Sequence, residues 1–162
     1  MSKTLFTKVY DAFFRKITED MYMELTKEDT ESMVQELLLS ALSWFEFPRV
    51  DINDYDLAKG CFNVALSLDE INIISTYMVK EWLGQQLASV ENTRMKYSGS
   101  DFKFTSQANH MQKLLTIKKD YEREGFHLQR LYKRRKTDIN GIVHSTFGQI
   151  IEPPKEVKYN ED

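Results

Sequence analysis

At 162 residues, 41% of them hydrophobic, the chain is the size of one domain with a core of its own, able to bury about two thirds of its unfolded surface without staples. A single cysteine, Cys61, excludes an internal disulfide and favours a reducing compartment; no apolar run approaches the ~18 residues of a membrane span. The net charge of −3 conceals a division, since residues 1–75 hold seven Lys/Arg against fourteen Asp/Glu and residues 111–136 hold nine basic against three acidic.

In chain order, Leu5, Phe6, Val9, Tyr10, Phe13, Phe14 and Ile17 recur at one, three and four residues, which predicts an amphipathic helix over about 3–17. This N-terminal stretch lacks the continuous apolar core of a signal peptide, so a cytoplasmic origin and a soluble product are expected. Thr26 and Asp29 resemble a capping box ahead of a second helix with Met33, Val34, Leu37, Leu38, Ala41, Leu42 and Phe45 on its apolar face. Pro48 is expected to end it. Residues 46–66 mix Asp, Asn, Gly and Pro with short alternating apolar runs, an irregular link with one or two short extended segments.

Ser67 and Glu70 form a full capping box. The helix they open carries Ile71, Ile74, Met78, Trp82, Leu83, Gln86, Leu87 and Val90 and is expected to continue past Arg94, with Trp82 buried. "KYSGSDFKFTSQ" interrupts it, because Ser and Gly favour turns. Thr105 or Ser106 is the expected cap of a last helix marked by Met111, Leu114, Leu115, Lys118, Tyr121, Leu128 and Leu131 and ending near Lys136, with a bend possible at Gly125. Asn140-Gly141 is a two-residue hairpin signal. The expected fold is mainly α, a helical bundle with long central and C-terminal helices and a minor β-hairpin or extended loop. The domain is expected to span 1–152, with residues 153–162 as a tail.

No catalytic constellation is recognisable. His110 and His127 stand seventeen residues apart on one helix, roughly 25 Å, and cannot share a metal. Together with His144 they read as structural or surface histidines. Cys61 has no CxxC partner, and there is no Walker A loop, GxGxxG or HExxH. Glu70, Glu81 and Glu91 lack the spacing of a carboxylate pair. Gly84 reads as a close packing contact. No enzyme, metal or cofactor is expected.

The strongest local feature is basic: Arg130, Lys133, Arg134, Arg135 and Lys136 are five of the seven residues from 130 to 136. Cations near a helix C-terminus complement its dipole, which explains one or two of them. The others point to phosphate, with Tyr132 alongside, or to a subunit interface facing an acidic partner. The acidic first half favours the interface. A second interface candidate is the interruption, where Tyr97, Phe102 and Phe104 are too apolar for an idle linker and are expected to pack against a neighbouring subunit.

The segment from about 66 to 136, with "ELTKEDTESMVQELLLSALSWFEFP" before it, resembles the head–tail connector, or neck adaptor, proteins of tailed bacteriophages. The likeness rests on Leu37, Leu38 and Ala41 in an early helix, an irregular link and a long central helix. The long "KYSGSDFKFTSQ" connection and the basic end are particular to this chain. The resemblance implies a helical, non-catalytic virion protein at the head–tail interface, made in the bacterial host cytoplasm. It implies a homo-oligomeric ring, commonly of twelve copies. The partners would be the portal protein, other neck or tail proteins and, non-specifically, genomic DNA in the channel, with no membrane. The alternative from the residues is a small nucleic-acid-binding or regulatory phage protein using the basic helix.

Overall fold

The computed structural model describes residues 3–17, 27–96, 104–137 and 143–145. Among the described residues four helices, α1 (Phe6–Phe14), α2 (Lys27–Leu42), α3 (Leu68–Lys96) and α4 (Phe104–Arg134), carry the fold. Between and around them the described residues form short strands: β1 (Thr4–Leu5), β2 (Tyr55–Asp56), β3 (Cys61–Phe62), β4 (Arg135–Thr137) and β5 (Val143–Ser145). The expected mainly helical class and the long central and C-terminal helices are present.

The central helix α3 packs against α1, α2 and α4. Its sequence reads as a one-sided stripe, but all eight residues from Ile73 to Lys80 are buried. Over these two turns three helices surround α3, which leaves no solvent face there; beyond them Gln85, Ala88 and Ser89 are exposed. Ser75 and Thr76 lie inside because their hydroxyls donate to the Asn72 carbonyl, at 3.0 and 2.8 Å. Its start is as the sequence requires: the Ser67 N–H donates to Glu70 Oε2 at 2.7 Å, and the Glu70 N–H to Ser67 Oγ at 3.3 Å. Trp82 is buried as expected.

The expected first helix begins later, at Phe6, because Thr4 and Leu5 pair with β3 instead. The resulting antiparallel sheet has the order β1-β3-β2. Phe62 at its centre is fully buried and meets Phe6 edge-on at 4.9 Å. The turn into β3 needs a positive φ at Gly60, which has φ 59. The helix also ends earlier than expected, at Phe14; Phe6, Val9 and Phe13 on it and Ile17 beyond its end are buried, while Leu5 is exposed.

The second helix stops at Leu42, well short of Pro48. Trp44 and Phe45 then close onto the Ala41 and Leu42 carbonyls in a tight turn. That turn lets Trp44 stack on Tyr77 of α3, with centroids 6.1 Å apart.

The last helix runs through Gly125 as one element. A Cβ there would lie 2.6 Å from Tyr77 Cζ, so only glycine admits the ring. Gly84 is a looser case, facing the flexible end of Lys118 at 3.4 Å. The helix starts at Phe104, before the expected Thr105 or Ser106 cap, so Phe104 belongs to α4 and not to an extended segment. It ends at Arg134, so Arg135 and Lys136 lie on strand β4, which pairs with β5 in the register Thr137 to Val143. The two strands pair antiparallel, but with Thr137 opposite Val143, a register that a two-residue Asn140-Gly141 turn would not give. Thr26, Tyr97, Phe102, Asn140-Gly141 and the tail lie outside the described residues, as do the side chains of Asp29, Phe104, Lys136 and His144.

Candidate functional site

The second half of α4 divides into two faces. Tyr121, Gly125, Leu128, Gln129 and Tyr132 turn inward, and Arg123, Phe126, Arg130 and Lys133 turn out. The outward four fall at intervals of three, four and three, which is one stripe of a helix. Across from them the chain leaving α2 brings Glu46 and Phe47. Together these side chains and Gln129 line an open groove of about 380 Å³. Phe47 and Phe126 are 55% and 40% exposed, an unusual degree for large rings.

The floor of this groove is built from hydrogen bonds of the buried Gln129 side chain. Gln129 Nε2 donates to the Trp44 carbonyl at 2.9 Å and to the Tyr77 hydroxyl at 2.6 Å, while its Oε1 accepts the Glu46 N–H at 2.9 Å. One amide therefore fixes the loop that carries Phe47. Lys133 Nζ then lies 3.8 Å from the centre of the Phe47 ring. Beneath the loop, Lys80 is buried with its ammonium over the Trp44 ring, 2.9 Å from the centroid, and 3.0 Å from the Glu81 carboxylate.

A second network ties the same loop to the helix ends. The Tyr132 hydroxyl donates to Glu70 Oε1 at 2.5 Å and accepts the Arg49 N–H at 3.0 Å. Arg49 Nη2 donates to the Tyr132 carbonyl at 2.5 Å, and its guanidinium covers the Tyr132 ring at 4.1 Å. Burial, then the Glu70 hydrogen bond, pushes the Tyr132 hydroxyl well above its ordinary pKa, against the opposing Arg49 N–H. The carboxylate of Glu70 also stands in the first turn of α3, where the helix dipole favours it.

The five expected basic residues divide. Arg130 and Lys133 come together on the groove. Arg134 is exposed in the last turn of α4. Arg135 turns toward the start of α3, 3.8 Å from Asp69. The Lys136 backbone pairs opposite His144. A sixth cation, Arg123, joins the groove from outside the cluster, held loosely by an exposed pair with Asp120 at 3.5 Å. Arg123 and Phe126 were within reach of the sequence, through their helical spacing to Arg130 and Lys133. The Phe47 contribution depends on the fold of the loop and left no such signal.

A second groove, of about 320 Å³, lies between α1 and α2, lined by Thr7, Tyr10, Asp11, Phe14, Thr30, Glu31 and Val34. Its charged side chains are both acidic and exposed. Burial, and then Glu31, raise the Tyr10 hydroxyl to about 12. His110 and His127 are exposed and Cys61 is buried. Among the described residues no group of three or more His, Cys, Asp or Glu is placed to hold a metal, and no helix is long and apolar enough to cross a membrane.

Comparison with models of known protein families, with curated proteins and with solved structures gives no significant match. The groove at the end of α4 is therefore read from its own chemistry. Cations beside exposed rings, on a floor held by the hydrogen bonds of buried Gln129, suit an acidic surface or a polyanion and offer a partner a preformed shape.

Proposed function

We propose that this chain is a structural subunit of a tailed-bacteriophage head–tail connector, forming a ring between portal and tail around the DNA channel. The sequence resemblance to that family supports the reading. The observation that carries it is the basic, aromatic groove of Phe47, Arg123, Phe126, Arg130 and Lys133 on a preorganised floor. Exposed rings flanked by cations are typical of surfaces that become buried on association. The test is a mass measurement of the purified chain with and without portal protein. A ring-sized species with the portal is expected, and reversing Arg130 and Lys133 to Glu should weaken it. Unchanged docking by that variant at physiological salt would remove the groove from the interface.

The same cations and rings favour a second reading, in which the groove holds a nucleic-acid strand by phosphate contacts and stacking. Glu46 at the lip and Lys133 over the Phe47 ring count against it. It predicts tight binding of the isolated chain to DNA, falling steeply with salt in proportion to the phosphates neutralised.

A further inference from the structure

The two grooves have opposite chemistry. One is lined by Arg123, Arg130 and Lys133 beside two exposed rings, and the other by Asp11 and Glu31 beside Tyr10, Phe14 and Val34. They share no residue, and they are built from different elements: α4 with the 46–47 loop, and α1 with α2. The segment after α1 and the 46–47 loop each meet α4 at a different point. The α1 end meets it at Tyr121, whose hydroxyl donates to the Lys16 carbonyl at 3.1 Å. The loop meets it at Gln129 and Lys133.

We propose that the acidic α1–α2 groove is the docking site for the basic α4 groove of a second copy of this chain. This rests on the subunit reading above and adds its address. Phe47, at the exposed lip of the basic groove, enters the apolar floor formed by Tyr10, Phe14 and Val34. Arg130 and Lys133 face Glu31 and Asp11. Apolar insertion supplies burial, and the charges set partner and register. Because two different faces meet, the contact is heterologous. An open assembly of any length keeps one free groove of each kind, one at each end, so it continues until it closes as a ring or runs on as a filament.

The test is sedimentation velocity on the full chain over a range of concentration and salt. The wild type is expected to associate beyond a dimer at low salt and to dissociate as salt screens the pairs. Two variants each break one face: Arg130→Glu with Lys133→Glu, and Asp11→Lys with Glu31→Lys. All four positions are exposed, and melting curves show whether each variant is folded. Each alone should lose self-association. Mixed in equal amounts, they offer one native and one charge-reversed pair of opposite faces and should again associate beyond two chains. Combining all four reversals should restore the larger species. Phe47→Ala, which leaves every charge in place, should weaken association as well. Association that survives both charge variants overturns the pairing while leaving the subunit reading intact. A wild type that stays monomeric throughout also overturns it, because two grooves that specify each other need no third component. The subunit reading fails separately, in the portal measurement.

Discussion

Tyr132 and Glu70, 62 residues apart, are joined by a 2.5 Å hydrogen bond from a buried hydroxyl to a buried carboxylate. The contact locks the end of α4 to the start of α3. It also supplies the acceptor for the Arg49 N–H, so three segments meet on one oxygen. Tyr132→Phe removes that oxygen and strands a buried carboxylate oxygen and an N–H. A loss of roughly 1–3 kcal/mol is expected, readable as a lower urea midpoint at unchanged slope. An unchanged midpoint would mean that water replaces the hydroxyl.

Tyr10, Tyr77, Tyr121 and Tyr132 all have hydroxyls raised above the ordinary 10.0, each chiefly by burial. A phenol is neutral when protonated, so the folded chain holds these protons more tightly than the unfolded one. Their contribution is fully present below about pH 10 and is lost as pH rises through the folded values, about 12 for Tyr10. Urea midpoints should fall above about pH 10. The fall should be shallower in the Tyr10→Phe, Tyr132→Phe double variant than in the wild type. An equally steep fall in both would place the alkaline sensitivity in other groups.

Gly125→Ala opposes two effects. Alanine improves helix propensity by ~1 kcal/mol. The added methyl would meet the Tyr77 ring at 2.6–2.9 Å, and that ring is packed between Trp44 and Phe126. Overpacking of this kind costs about 1–3 kcal/mol, so a net loss of stability is expected in thermal or urea melts. A more stable variant would show that Tyr77 moves aside freely.

Gln129→Leu keeps the volume and removes three hydrogen bonds. The Glu46 N–H and the Trp44 carbonyl then lose their partner, and the loop that carries Phe47 loses its anchor. A loss of about 2–3 kcal/mol is expected, together with faster amide exchange at residues 44–49. Exchange unchanged there would mean that Trp44 stacking alone holds the loop.

The readable parts of the fold were those governed by neighbours a few residues away. Apolar residues three and four apart marked all four helices, and Ser67 with Glu70 capped α3, because a helix meets itself within one turn. Trp82 was assigned to the core on the same grounds. The basic cluster was visible as composition, but its division was not. Arg130 and Lys133 line a groove while Arg135 turns to Asp69, because the helix ends between Arg134 and Arg135.

What only the tertiary structure decided depends on residues brought together across long separations. Gly125 reads as a weak point in a helix until Tyr77 is seen occupying the space of its missing side chain. Gln129 and Tyr132 sit beside surface cations in the sequence, yet both are buried, since their partners arrive from Trp44, Glu46, Arg49 and Glu70. Thr4 and Leu5 continue a helical pattern but form a strand, because Cys61 and Phe62 offer backbone partners that a helix would forgo. Local periodicity says which side of a helix is apolar; it does not say which polar groups will find partners inside, and that is settled by the chain's long-range contacts.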